Sequence, residues 1–181
     1  LRREFILMSR DGRAAEQARL YNPPSPFTRT PMPRALSFFA LLAFSFVTVP
    51  ALARNCVVTI EATDMMTFDL KTIRVPGDCA QLRVVLKHTG RMPAQAMGHN
   101  WVLTETRHHR DMGLAGGRMK LADDYLPRND ARVIAHTPVI GGGQSTEVVF
   151  PTSRLRKGGA YTFFCSFPGH WNMMKGTLLF E

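Results

Sequence analysis

Short runs of alternating apolar and polar residues, separated by glycine and proline, limit the possible folds of this chain more than any other feature of its sequence. A side-chain period of two is typical of strands with one buried face. The clearest runs span residues 56–60, 81–87, 145–150 and 161–164. Breakers such as Pro76-Gly77 and Gly158-Gly159 lie between them, at the spacing of loops that join antiparallel strands. The pattern predicts an all-β Greek-key sandwich of about eight strands.

Residues 105–121 depart from this pattern, with polar side chains around scattered leucine and methionine. We interpret this segment as one short helical flap, although each of Gly113, Gly116 and Gly117 weakens a helix by about 1 kcal/mol relative to alanine. Trp101 lies in an apolar run before the flap. It is predicted to be a core residue, since a strand with one buried face needs large apolar side chains.

The N-terminal part of the chain is organised differently. Residues 32–53 have the features of a secretory signal peptide, with an apolar run over 35–49 and a small-residue cleavage site at 51–53. The apolar run is about 15 residues, shorter than the ~20 that cross a bilayer, so we expect no membrane span in the exported protein. Residues 1–31 are expected to be disordered or untranslated. The remainder, 54–181, is long enough for one domain.

The formal charge of +9 does not by itself indicate a nucleic acid partner. The basic residues are scattered and are not interleaved with aromatic side chains, as they are on surfaces that stack bases. We therefore expect no nucleic acid binding, whereas an acidic protein partner fits the charge.

Three cysteines in an exported chain indicate one disulfide and one thiol kept for another purpose. Cys56 lies in the first predicted strand and Cys79 follows the turn at Pro76-Gly77. A disulfide between them would close a loop of about 24 residues and stabilise the fold by about 3 kcal/mol in the chain-entropy model. Cys165 would then remain a free thiol.

One short segment, CSFPGHWNMM at 165–174, offers a thiolate, an imidazole and a thioether in Cys165, His170 and Met174. Such soft and borderline ligands select copper over hard cations, and methionine as a weak axial ligand favours copper in particular. His99 can supply a second imidazole from far upstream. Gly98 beside it lacks a side chain, so its carbonyl can approach a metal closely.

Three other interpretations of these residues compete with a copper site that transfers electrons. A thiol enzyme built on Cys165 and His170 leaves His99 and Met174 without a role. A copper nitrite reductase needs a second domain and a second copper, for which the chain is too short. A copper-binding or delivery protein without redox function remains open from the residues alone.

The segments MGHNW at 97–101, RVIAHT at 132–137 and FFCSFPGHWNMMKGTL at 163–178 resemble the azurins, blue copper proteins of the cupredoxin family. The resemblance extends over residues 54–181. It implies a mononuclear type 1 copper held in a plane by His99, Cys165 and His170. It also implies weak axial contacts from Met174 and the Gly98 carbonyl, and a structural disulfide between Cys56 and Cys79.

The resemblance further implies that Asn100 ties the two ligand segments together, and that the amides of Asn100 and Phe167 donate to the Cys165 sulfur. It implies a docking patch around a surface-near His170. The residues expected in this patch are Met66, Met92, Met97, Phe167, Pro168 and Met173. The implied activity is single-electron transfer by a monomer in the bacterial periplasm, not an enzymatic reaction, with c-type cytochromes and copper nitrite reductase as partners.

Four further residues, three histidines and one tryptophan, lie outside the predicted donor set. The adjacent His108 and His109 are interpreted as solvated residues of the flap and not as a second metal site. His88 is interpreted as a structural histidine. Trp171 directly follows His170, and a large ring there is expected to alter partner choice or solvent access.

Overall fold

A computed structural model of the chain describes residues 54–181. The predicted signal peptide at 32–53 and the extension at 1–31 lie outside the described residues. No helix in the described part of the chain is both long enough and apolar enough to cross a membrane.

Residues 54–181 form nine strands, where about eight were predicted. The strands are β1 (Arg54–Thr63), β2 (Thr67–Phe68), β3 (Thr72–Val75), β4 (Cys79–His88), β5 (Val102–Glu105), β6 (Val133–His136), β7 (Ser145–Pro151), β8 (Tyr161–Phe164) and β9 (Lys175–Phe180). They build a four-stranded sheet in the order β2-β1-β4-β7 and a five-stranded sheet in the order β3-β9-β8-β5-β6. The predicted all-β sandwich is confirmed.

The antiparallel pairing expected from loop spacing is wrong for two pairs. β1 runs parallel to β4, with Val58 opposite Val84, and β3 runs parallel to β9, with Ile73 opposite Leu178. The cause is the path of the chain: after β2 it crosses to the five-stranded sheet as β3, then returns to the first sheet as β4 beside β1. A parallel pair requires a crossover of this kind, because a tight hairpin turn can join only antiparallel strands.

The main core lies between the two sheets and is built by alternate residues of each strand. In β4 the side chains of Leu82, Val84 and Leu86 are buried, whereas their neighbours face outward. Trp101 is fully buried as predicted, and its ring stacks at 6.3 Å from Phe150 and at 6.1 Å from Phe163. Aromatic pairs at such separations add about 0.5–1.5 kcal/mol each beyond the area they bury.

A disulfide joins Cys56 of β1 to Cys79 at the start of β4, with the two Cα atoms 5.7 Å apart. Cys165 is a free, buried cysteine. The cross-link ties together two strands that are already hydrogen-bonded neighbours, and the pairing is the one expected from the sequence.

Two short helices connect the strands. α1 (Ala94–Met97), which the sequence analysis did not predict, ends directly before Gly98. α2 (His109–Gly116) lies within the predicted flap, preceded by a single 3-10 turn over Thr106–His108. Beneath the flap lies a second, smaller apolar cluster. Its members are Val102, Met112, Leu126 and Phe164, with Val133 and Trp171 packed against them.

Candidate metal centre

The predicted donors come from two separate segments of the chain. Cys165 follows β8 directly and Met174 directly precedes β9, so that Cys165, His170 and Met174 share the loop between two paired strands. The Cys165 N–H donates to the Met174 carbonyl at 3.0 Å and closes this loop. His99 follows α1, and its backbone exchanges two hydrogen bonds with Ile140, at 3.0 and 2.9 Å. The fold therefore fixes both segments by backbone hydrogen bonds.

The side chains of His99, Cys165 and His170 converge in the interior. Their ligand atoms lie within 4.8 Å of one another, in the one such group that could hold a metal among residues 54–181. The Cys165 Sγ lies 3.8 Å from the His99 Nδ1 and 3.7 Å from the His170 Nδ1. An ion at about 2.3 Å from sulfur and about 2.05 Å from nitrogen, with an angle of about 120° between them, separates those atoms by about 3.8 Å. Both sulfur–nitrogen distances therefore fit one shared ion.

The tautomer of His99 is fixed for metal binding through Nδ1. Its Nε2–H donates to the carbonyl oxygen of Thr63 at 2.9 Å, which leaves the Nδ1 lone pair free on the side of Cys165. A hydrogen bond at the second ring nitrogen is the usual way that proteins orient a ligating histidine. The His88 ring stacks on His99 at 4.4 Å, and its Nε2–H donates to the Met97 carbonyl at 2.9 Å. The structural role expected for His88 agrees with these contacts.

Burial keeps both imidazoles neutral at physiological pH. It lowers the pKa of His99 to about 4, although the hydrogen bond to Thr63 acts in the opposite direction. Burial also lowers the pKa of His170 to about 4. A neutral imidazole is the form that binds a metal, so the protein does not have to remove a proton from either ring.

Cys165 differs from the two histidines, because the form of its side chain that binds a metal is the anion. Complete burial raises the pKa of the Cys165 thiol to about 12, against the lowering effect of hydrogen bonds from the backbone amides of Asn100 and Phe167. A buried thiolate is stable only beside a positive charge, which a bound cation supplies by displacing the proton. The chemistry of this donor set therefore fits a soft metal ion. The two amides are the ones that the family resemblance implied.

Gly98 places its carbonyl oxygen 3.9 Å from the Cys165 Sγ. The physical reason for glycine here is crowding by protein atoms: an added Cβ would lie 2.4 Å from the Ala94 carbonyl oxygen and 2.6 Å from the Val139 Cγ1. A side chain at this position would displace the backbone that carries both the carbonyl and His99.

A small buried network links the two donor segments. The Asn100 Oδ1 accepts from the Ser166 N–H at 2.9 Å, and the Asn100 Nδ2 donates to the Ser166 Oγ at 2.8 Å. The Asn100 Nδ2 and the Ser166 Oγ both donate to the Asp124 carbonyl, at 3.1 and 2.7 Å. Sequence reasoning anticipated Asn100 but missed Ser166 and Asp124, because neither belongs to a ligand pattern.

The residues expected in a docking patch differ in exposure. Met173 and Met92 are 59% and 41% exposed, Pro168 is exposed, and Met66 and Met97 are half-buried. Phe167 is nearly buried and stacks on the His170 ring at 4.5 Å. His170 itself keeps 3% of its surface exposed, whereas His99, Cys165 and Met174 keep none.

The expectation for His109 requires correction, and the structure also shows where the Trp171 ring packs. His109 is not merely solvated: it is half-buried, and its Nε2–H donates to the Trp171 carbonyl at 2.9 Å. The Trp171 ring turns toward α2 and contacts His109 at 5.4 Å, which places it in the small cluster under the flap. The cause in both cases is that α2 packs against the ligand loop, a tertiary contact that has no signal in the local sequence.

Comparison with known proteins agrees with this geometry. A family model described as copper binding proteins, plastocyanin/azurin family, matches residues 54–181. The chain is 50% identical over 137 residues to an azurin of Achromobacter denitrificans, covering 76% of this chain and 92% of that protein. It is 50% identical over 138 residues to an azurin of Bordetella pertussis, covering 76% of this chain and 90% of that protein.

A solved structure of azurin iso-2 from Methylomonas sp. strain J superposes with a TM-score of 0.67 at 44% identity, covering 70% of this chain and 98% of that one. Sequence, fold and the buried cluster of two histidines and one cysteine therefore agree. The chain belongs to the plastocyanin/azurin family of copper-binding proteins, and its cofactor is copper.

Proposed function

We propose that this protein carries single electrons between redox proteins, through one type 1 copper held in a plane by His99, Cys165 and His170. The observation that carries the proposal is the convergence of these three buried donors, with both sulfur–nitrogen distances suited to a single ion. Copper, when bound, supplies a one-electron couple between Cu(I) and Cu(II). A site intermediate between the geometries that the two states prefer changes little on electron transfer.

The protein contributes rigidity to this couple. Each planar donor is fixed by contacts that do not involve the metal: His99 by the Thr63 carbonyl, Cys165 by two backbone amides, and His170 by the stacked Phe167 ring. Because these contacts hold the donors in place, the donors need not move when the charge at the site changes. Burial also excludes the water that would otherwise reorganise around that charge.

Met174 and the Gly98 carbonyl would supply two weaker contacts to the copper. Met174 is completely buried and belongs to the same loop as two of the planar donors. The Gly98 carbonyl already lies 3.9 Å from the Cys165 sulfur. A thioether and a carbonyl oxygen would be weak ligands, so that His99, Cys165 and His170 would dominate the bonding.

Electrons are proposed to enter and leave at His170, the least buried of these residues. The proposed docking patch consists of Met66, Met92, Met97, Phe167, Pro168 and Met173. An apolar patch with few charges favours brief docking, because weak complexes dissociate quickly and a carrier must leave one partner to reach the next. We propose c-type cytochromes and copper nitrite reductase as partners, and a monomer as the working form.

The proposed location is the periplasm, reached through a signal peptide at 32–53 that is removed to leave a domain at 54–181. The disulfide between Cys56 and Cys79 supports an oxidising compartment. Mass spectrometry of the protein purified from periplasm tests this, because the mass of an unprocessed chain would contradict removal of the signal.

The decisive experiment separates electron transfer from copper delivery. Purified protein with Cu(II) is expected to bind one ion, turn intensely blue through the Cys165-to-copper charge-transfer band, and show a reversible one-electron couple. Cys165→Ala is expected to stay colourless while circular dichroism shows that the sandwich is intact. A wild-type protein that binds copper without colour and passes the ion to an acceptor would support delivery and overturn the proposal.

A further inference from the structure

α2 lies against the loop that carries Cys165 and His170, and it contacts the residue that follows each of these two donors. We propose that α2, through His109, Gly113 and Gly116, positions the ligand loop and thereby sets the electronic properties of the copper. This inference rests on the proposed function, because it assumes that copper binds in that loop.

The first contact is between Gly113 and Trp171. An added Cβ at Gly113 would lie 2.4 Å from the Trp171 Cγ, 2.5 Å from its Cδ2 and 2.8 Å from its Cβ. These distances are far below van der Waals contact, so the Trp171 ring lies directly on the backbone of the helix. Trp171 directly follows His170, and a shift of the ring would move the backbone that holds this donor.

The second contact fixes the same point of the loop by a hydrogen bond. The His109 Nε2–H donates to the Trp171 carbonyl at 2.9 Å. The His109 ring also meets the Trp171 ring edge-on at 5.4 Å and the Phe164 ring at 4.9 Å. Phe164 is the last residue of β8 and directly precedes Cys165, so one histidine contacts the residues adjacent to both donors.

The third contact is at the Cys165 end of the loop. An added Cβ at Gly116 would lie 2.6 Å from the Ser166 carbonyl oxygen and 2.9 Å from the Tyr125 carbonyl oxygen. Both obstacles are backbone atoms, which cannot rotate away as a side chain can. Ser166 also holds Asn100, so displacement here would reach the segment that carries His99.

Glycine lowers the stability of a helix, so its presence in α2 needs an explanation outside the helix. Each glycine in a helix interior is less favourable than alanine by about 1 kcal/mol. α2 has eight residues, with Gly113 in its interior and Gly116 at its end, three positions apart on the face that meets the loop. Absence of a side chain lets the helix backbone approach the loop backbone, which is the usual advantage of glycine at a packing contact.

Substitution of these glycines tests the proposal, and the chain provides a matched control. Gly113→Ala and Gly116→Ala are compared with Gly117→Ala, where an added Cβ meets a single atom at an ordinary 3.6 Å. In the copper-loaded full-length protein, the first two substitutions are expected to change the charge-transfer spectrum, the copper hyperfine splitting and the reduction potential. Copper affinity is expected to fall by about tenfold, the lower end of the effect for residues that orient ligands. Gly117→Ala is expected to match the wild type in all four measurements.

His109 provides a second test that does not risk a steric clash. His109→Gln keeps a donor that can reach the Trp171 carbonyl, whereas His109→Leu keeps apolar bulk and loses the hydrogen bond. The spectrum and the potential are expected to shift in His109→Leu and to return toward wild type in His109→Gln. A packing role alone would leave both properties unchanged in folded His109→Leu protein, and that result would overturn the proposal.

A substitution cycle with Trp171 checks that the effect travels through this residue. Because two of the three atoms nearest to an added Cβ at Gly113 belong to the Trp171 ring, Gly113→Ala is expected to change the spectrum less in a Trp171→Ala background. Equal effects in both backgrounds would contradict coupling through Trp171.

If the wild type is blue and the variants are indistinguishable from Gly117→Ala, the inference fails while the proposed function stands. If the wild type itself is colourless with copper, the proposed function fails.

Discussion

Asn100 and Ser166, which directly follow His99 and Cys165, exchange two hydrogen bonds at 2.9 and 2.8 Å. They fix the relative position of the two donor segments before any metal binds. We predict that Asn100→Ala lowers copper affinity by about tenfold and shifts the reduction potential, because the segments lose this link. Competition with a chelator and voltammetry check this, with the exposed Asn55→Ala as a control. An unchanged affinity would show that the link is dispensable.

Met174→Leu is predicted to keep the blue colour and to raise the reduction potential. The thioether is a weak ligand whose loss favours Cu(I), while the planar donors that give the colour remain. Met173→Leu serves as a matched control, since the Met173 side chain is 59% exposed and has no assigned contact with copper. Absorption spectroscopy and voltammetry on both variants test the prediction, and loss of colour in Met174→Leu would contradict the axial assignment.

Thr104→Val is predicted to leave the free energy of unfolding unchanged or to raise it by about 1 kcal/mol. The Thr104 hydroxyl is buried without a hydrogen-bond partner in the described residues, so its removal relieves a desolvation cost. Thr152→Val provides the contrast, because the Thr152 hydroxyl donates to the carbonyls of Cys79 and Ala80. We expect Thr152→Val to lower the free energy of unfolding by about 1–3 kcal/mol. Denaturant unfolding of the two variants measures the difference, and similar losses in both would refute the interpretation.

Asp130→Asn is predicted to destabilise the protein at neutral pH and progressively less in acid. Hydrogen bonds from the Arg132 side chain and backbone, at 2.9 and 3.0 Å, lower the pKa of Asp130 to about 2. Because this folded value lies below the unfolded value of about 3.9, the stability it contributes is present above about pH 4 and is lost as the pH falls toward 2. Unfolding across this pH range tests the trend, with the exposed Asp78→Asn as control. A difference in the free energy of unfolding between Asp130→Asn and the wild type that stays constant across this pH range would contradict the prediction.

Replacement of both Cys56 and Cys79 by alanine is predicted to lower the free energy of unfolding by about 3 kcal/mol. The copper spectrum is expected to remain that of the wild type, because neither residue belongs to the donor cluster. Calorimetry and absorption spectroscopy separate the two effects. A changed spectrum in the folded variant would indicate that the cross-link reaches the metal centre.

Sequence reasoning could predict three of the donors because their pattern is local. Cys165, His170 and Met174 lie within ten consecutive positions, and few metals other than copper prefer this combination of ligands. The fold class was predictable for a similar reason, since alternation is visible within each strand. Family resemblance then supplied Asn100 and Phe167, whose contacts with Cys165 and Ser166 agree with the geometry.

The missed features depend on contacts between distant residues. The alternation of apolar and polar residues does not indicate which strands are neighbours in a sheet. The sequence therefore did not predict the parallel pairing of β1 with β4 or of β3 with β9. α1 has only four residues and shows no helical period. Gly113 and Gly116 were interpreted as residues that weaken a helix, because their close contacts with the ligand loop appear only in three dimensions.

The loop from Cys165 to Met174 begins and ends in neighbouring antiparallel strands and is closed by its own hydrogen bond. Insertions or deletions between the two ends therefore leave the register of both sheets untouched. If the proposed function holds, a change in the spacing of the donors would alter the reduction potential while the scaffold stays the same. The metal-binding segment is in this respect an exchangeable module, and transplanted loops of other lengths should be accepted by the same sandwich.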